Sequence, residues 1–320
     1  MASWQAHLTS FFLRHVLKPR LARASSIEQA RAAFRGLTTP LPPGCTVTAA
    51  RVGGVAGEWL SCDRPEAFGT LLYLHGGGYI ACNPQTHRPI TSAFACAGFR
   101  TFAPDYRLAP EHPFPAAIDD AVATYRALIA ETEPRRMVLA GDSAGGGLSL
   151  ALLLSLQQQG IALPSAAVLF SPLTDLSVSG ASVSSNRHRC AMFNQPILQS
   201  AATFYLGDRD PRMPLASPLF AQLQGLPSLL IHVGANETLL DDSVRLTERL
   251  RATGNAVQLQ VWPAVPHVWQ LFHRFVPEAR QSLSTAIGFL RDHLPSPMAT
   301  PFAAEVPDNL HTDQSAAATL

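Results

Sequence analysis

The stretch that most constrains this chain is Gly141-Asp142-Ser143-Ala144-Gly145, set between two apolar segments. Arg136-Met137-Val138-Leu139-Ala140 before it reads as a buried strand, and Leu148-Ser149-Leu150-Ala151-Leu152-Leu153-Leu154 after it reads as a helix. The glycines between them leave room for one very tight turn. A serine at the apex of a strand-turn-helix is held in strained backbone, with its hydroxyl pushed away from the sheet toward a base and a substrate. Gly-x-Ser-x-Gly by itself also occurs in ordinary loops, so the flanking strand and helix are what make Ser143 a candidate nucleophile.

Further strands are expected at residues 70–74, 98–104, 166–170, 228–233 and 257–262, with helices at 116–130, 241–253 and 277–294. Apolar strands alternating with helices predict an α/β fold, a mostly parallel central sheet covered on both faces. Ligands of such sheets sit at the carboxyl ends of the strands. Residues 45–62, β-like with glycines at 53, 54 and 57, fit two short antiparallel strands ahead of that core.

Residues 1–40 look helical and end in the breaker cluster Thr38-Thr39-Pro40-Leu41-Pro42-Pro43-Gly44. Residues 174–225 break the strand-helix rhythm, with a Ser-rich stretch and one helix expected near 195–205. The two segments are read as N-terminal cap helices and a cap insertion over the site. They divide the core into 41–173 and 226–295, and residues 296–320, rich in Pro, Ala, Ser and Thr, are expected to be a disordered tail.

The first 21 residues carry Leu8, Phe11, Phe12, Val16 and Leu17, interrupted by His7, Arg14, His15 and Lys18. That pattern lacks the uninterrupted apolar run of a signal peptide and reads as an amphipathic helix, with an interfacial anchor as the alternative. No run approaches a membrane span. A net charge of +1, with 15% charged residues and no basic block, offers no footprint for nucleic acid or an anionic membrane. Cys45, Cys62, Cys82, Cys96 and Cys190 show no metal-ligand spacing, and free thiols in a reducing, cytoplasmic compartment are expected.

The strand at 70–74 runs into His75-Gly76-Gly77-Gly78. Successive glycines cost backbone entropy and are carried where amides must approach something closely. The functional reading is an oxyanion hole, whose preorganised N–H groups stabilise the charge of an acyl-transfer transition state. A phosphate cradle is disfavoured, because no Gly-Lys-Ser/Thr follows. Asp105, Arg107, Glu111 and His112, in a proline-pinned loop, are read as an ion-pair brace beneath the nucleophile.

A serine needs a base to take its proton and an acid to orient that base. His267 follows the last strand in a short loop; His232 lies inside a strand and His273 is expected in the following helix. Glu237 follows the 228–233 strand and is the expected acid, with Asp241 second. Asp241 and Asp242 are better explained as acids near a helix start. The order serine, acid, histidine is the one this architecture uses.

His75-Gly76-Gly77-Gly78, the run from Asp105 to Ala117, and Gly141-Asp142-Ser143-Ala144-Gly145-Gly146 together resemble the hormone-sensitive-lipase-like branch of the α/β-hydrolases, which includes bacterial family IV carboxylesterases. The resemblance covers about residues 45–295. It implies an α/β-hydrolase fold with a helical cap, Ser143 as nucleophile, His267 as base, and the amides of Gly77, Gly78 and Ala144 as oxyanion donors. His75, Gly76 and Asp142 belong to its motifs. Many members read Asp-Pro-Leu-x-Asp where this chain has Glu237-Thr238-Leu239-Leu240-Asp241, a departure that places a glutamate at the acid position. The expectation is a serine carboxylesterase for short to medium acyl chains, working without metal or cofactor on a small-molecule ester, with a homodimer left open. Lactone hydrolysis and aryl-ester or amide deacetylation are the alternatives on the same fold. A non-catalytic small-molecule receptor or a lyase is disfavoured, because Ser143 and His267 are both present.

Overall fold

A computed structural model describes residues 2–24, 26–34, 40–63 and 68–295. The expected tail at 296–320 lies outside the described residues. The chain opens with helix α1 (Trp4–Phe12), a π turn over Leu13–Leu17, α2 (Lys18–Arg23) and α3 (Ile27–Ala33). The core follows as β1 (Cys45–Val52), β2 (Val55–Cys62), β3 (Thr70–Leu74), α4 (Pro84–Cys96), β4 (Arg100–Pro104), α5 (Ala116–Glu131), β5 (Met137–Asp142), α6 (Ala144–Gln158) and β6 (Ala166–Phe170). Two helices, α7 (Ala181–Ser185) and α8 (Gln195–Leu206), precede β7 (Ser228–Gly234), α9 (Leu240–Ala252), β8 (Val257–Trp262) and α10 (Pro277–Asp292).

The eight strands form one sheet in the order β1-β2-β4-β3-β5-β6-β7-β8. Only β2 runs against its neighbours, so the sheet is mostly parallel, as expected. All five residues of β3 and of β6 are buried, because helices cover both faces. Strand periodicity splits their side chains: Leu72, Leu74, Leu139 and Leu169 pack in one core, and Leu71, Tyr73, Val138 and Val168 in the other.

Helix α4 is an element that periodicity does not reveal. Pro84 and Pro89 both fall within it, and prolines argue against helix in sequence. Pro84 occupies the first turn, where no intrahelical N–H bond is lost, and Asn83 and Thr86 form a reciprocal capping box. Its C-terminal end packs on β2 and brings Cys96 to Cys62, with which it forms a disulfide at a Cα separation of 5.1 Å. The expectation of five free thiols is corrected for this pair; Cys45, Cys82 and Cys190 are free. Two cysteines 34 residues apart meet only through helix-on-strand packing, which spacing rules do not see. Among the described residues, no helix is long and apolar enough to cross a membrane.

Candidate active site

Ser143 joins the end of β5 to the start of α6 with φ 52° and ψ −122°, a conformation that side chains other than glycine rarely adopt. The turn leaves no space for larger neighbours. A Cβ on Gly141 would lie 2.4 Å from the Gly145 carbonyl oxygen, and one on Gly145 would lie 2.0 Å from that of Leu74. The strained turn is tied down on both sides: the Ser143 N–H donates to the Phe170 carbonyl at 2.8 Å, and its carbonyl accepts from Leu173 at 2.8 Å.

Beyond β3, Gly77 and Gly78 adopt φ of 120° and 64°. A Cβ at Gly77 would meet the Ala81 carbonyl oxygen at 2.0 Å. The amides of Gly77, Gly78 and Ala144 donate to no acceptor among the described residues. The loop is held instead through Gly76, whose N–H donates to Asp142 Oδ1 at 3.1 Å. The same oxygen accepts from the Tyr73 hydroxyl at 2.7 Å, while His87 Nε2 lies 3.2 Å from Oδ2. Burial pushes the Asp142 carboxyl up, but His87 and the Tyr73 hydroxyl more than offset this and hold it below its usual range. His75 stacks on Tyr106, with ring centroids 4.2 Å apart, and the Tyr106 hydroxyl donates to the His75 carbonyl at 2.6 Å. Burial, reinforced by His87, lowers the His75 imidazole to about 3, so it is neutral. His75, Gly76 and Asp142 therefore shape the glycine loop from beneath.

At the ends of the next strands, His267 Nδ1 lies 2.5 Å from Glu237 Oε2. The other oxygen of Glu237 accepts from the Ser171 hydroxyl at 2.7 Å and the Gly234 N–H at 2.6 Å. Asn186 donates to the Glu237 backbone carbonyl at 2.9 Å. His267 is buried under the edge of Phe193, centroids 4.9 Å apart, and its Nε2 has no hydrogen-bond partner. Of the two acids weighed in sequence, Glu237 is the one that meets the histidine. Asp241 accepts from the Ser182 N–H at 2.9 Å, and Asp242 from the N–H groups of Thr174 and Asp175 at 2.8 and 3.0 Å. Both tie residues 174–182 to α9.

His232 points into the core and meets the Ser282 hydroxyl at 2.8 Å. His273 lies in the turn before α10, a small departure from the expected helical position. The brace on the proline-rich loop exists with different partners. Arg107 pairs with Asp120 at 2.7 Å and Glu111 with Arg31 of α3 at 2.7 Å, so the contacts run to neighbouring helices rather than within the cluster.

Ser143, His267, Gly77 and Gly78 line one cavity of about 210 Å³. Leu17, Leu21 and Phe34 from the N-terminal segment, and Phe193, Ile197 and Phe204 from the 174–225 segment, supply an apolar wall. Sequence reasoning did not find Ser171, Tyr73 or His87. Ser171, with φ 46° just past the end of β6, carries the one available signal, a polar residue at the carboxyl end of a strand.

Residues 71–271 match a family described as alpha/beta hydrolase fold. An acetyl-hydrolase of Streptomyces hygroscopicus is 44% identical over 271 residues, covering 84% of this chain and 89% of that protein. An esterase of Acinetobacter venetianus is 33% identical over 288 residues, covering 87% and 95%. The crystal structure of an esterase from the bacterial hormone-sensitive lipase family superposes with a TM-score of 0.86 at 40% identity, covering 92% of this chain and all of that one. The chain thus belongs to the alpha/beta hydrolase fold family, in its hormone-sensitive-lipase-like branch of carboxylic ester hydrolases.

Proposed function

We propose that this protein hydrolyses small carboxylic esters through an acyl-enzyme on Ser143. The observation that carries the reading is the His267 to Glu237 contact, with His267 Nε2 unpartnered in a cavity shared with Ser143. Nε2 takes the proton from Ser143 Oγ as Oγ bonds to the acyl carbon, and the carbonyl electrons move to oxygen. The amides of Gly77, Gly78 and Ala144 stabilise that oxyanion, each donor being worth on the order of 100-fold or more in rate. Collapse restores the carbonyl and expels the alcohol, which takes the proton from His267. Water then repeats the sequence, giving its proton to Nε2 and releasing the acid and free Ser143. Glu237 orients the imidazole throughout and stabilises its charged form.

Residues 1–40 and 174–225 act in this reading as a cap over the core. The apolar cavity of about 210 Å³ is smaller than the roughly 300–1,000 Å³ of drug-sized sites, which supports short to medium acyl chains. The reading keeps the enzyme in the cytoplasm, a compartment in which a disulfide such as Cys62–Cys96 is uncommon. A serine-directed phosphonate tests the chemistry: it should add once, on Ser143, and Ser143→Ala should abolish both labelling and hydrolysis of activated short-chain esters while leaving the fold intact. Undiminished turnover by that variant would overturn the proposal.

A further inference from the structure

Helix α1 is apolar on two opposite faces. Ala6 and Thr9, with Leu13 of the π turn that follows, point inward and are at most 7% exposed. Trp4, Leu8, Phe11 and Phe12 fall on the other side of the helix and are 49–65% exposed. Phe275, 44% exposed, extends this stripe by packing edge-on against Trp4 at 5.5 Å. One apolar face suffices to seat a surface helix, so the second has no role in the fold. Large exposed aromatics gathered on one short helix mark an interaction surface.

The charge around the stripe identifies the partner. The first 27 residues contain Arg14, Lys18, Arg20 and Arg23 and no Asp or Glu. Arg14 donates to the Arg189 carbonyl at 2.6 Å, and Lys18 to those of Arg187 and Cys190 at 2.9 and 2.8 Å. These bonds bring the exposed Arg187-His188-Arg189 run beside α1. Glu278, the acid that meets the start of the helix, is taken up by the Ser3 N–H and hydroxyl. A chain of net charge +1 therefore gathers Arg14, Lys18, Arg187 and Arg189 at one corner, which whole-chain composition averages away.

We infer that the α1 stripe, with its cationic rim, docks this protein on an anionic lipid surface. Trp, Phe and Leu on one face of a helix, flanked by Arg and Lys, suit the boundary between headgroups and acyl chains. A second copy of the chain fits less well, because a two-fold contact through the stripe would set one cationic rim against another. The face that docks is distinct from the cavity wall, to which the N-terminal segment contributes Leu17 and Leu21.

Vesicle flotation tests the inference with the full chain. Phosphatidylcholine vesicles containing about one-third phosphatidylglycerol should carry the protein upward at low salt, and phosphatidylcholine alone should not. High salt should weaken the binding. The double variant Leu8→Glu/Phe12→Glu should lose at least about tenfold in partitioning while hydrolysing soluble esters as before. The milder pair Leu8→Ser/Phe12→Ser covers the case in which the acidic pair disturbs folding. Brominated lipids should quench fluorescence from Trp4, and Trp4→Phe should remove that quenched component. Failure of the wild type to float with anionic vesicles would overturn the inference, as would equal flotation of both variants. So would a wild-type dimer that the variants convert to monomer without change in vesicle binding.

Discussion

The Ser171 hydroxyl donates to Glu237 Oε1 at 2.7 Å, on the side of the carboxylate turned away from His267. With the Gly234 N–H on the same oxygen, it fixes the carboxylate so that Oε2 faces His267 Nδ1. A glutamate has one more rotatable bond than an aspartate, and these two donors remove that freedom.

Replacing Ser171 by Ala should therefore loosen the carboxylate without emptying the cavity. A hydrogen bond to a charged group is worth about 1.5–3 kcal/mol, so kcat for a soluble ester should fall about tenfold or more with KM little changed. Steady-state kinetics on a short-chain aryl ester checks this; an equal loss confined to KM would contradict it.

Asp142 links Tyr73, Gly76 and His87 in one buried network under the glycine loop. Asp142→Asn puts an amide N–H₂ where one of these donors now finds an oxygen. Leaving a buried polar group unpaired costs roughly 1–3 kcal/mol. Urea unfolding should report that loss of stability, and kcat should drop as well, because Gly76 anchors the loop that carries Gly77 and Gly78.

Asp242 is buried, and burial raises its carboxyl to about 7 against an ordinary 3.8. The N–H groups of Thr174 and Asp175 and the Arg245 charge act the other way, and the Asp175 carboxylate adds to the rise. Between those two values the folded protein binds more protons at this site than the unfolded chain, so the site loses stability as pH rises. Asp242→Asn abolishes that titration. Its Tm relative to wild type should improve steadily from about pH 4 to about pH 7, measured by thermal melts across that range. A constant difference would show that Asp242 ionises alike in both states.

The Cys62–Cys96 disulfide makes a simple count testable. Oxidised protein unfolded without reductant should react with a thiol reagent at Cys45, Cys82 and Cys190, and at all five cysteines after reduction by a dithiol. Five reactive thiols before reduction would contradict the pairing.

Local sequence determined the strand-turn-helix at Ser143, the glycine loop after β3 and the alternation that builds a mostly parallel sheet. Each depends on neighbours along the chain: backbone space at Gly141 and Gly145, or the burial of a five-residue apolar run. Helix α4 escaped because its signal is a cap and two prolines, not a periodic apolar face. Glu237 is already the expected acid in sequence, whereas the Arg107 to Asp120 pairing and the Cys62 to Cys96 link were decided only by tertiary packing. These side chains come from separate strands, helices and loops, and a polar group's partner is set by which elements lie side by side. The same holds for the basic corner beside α1: the Arg187–Arg189 run and the N-terminal cations are far apart in sequence and adjacent only after folding.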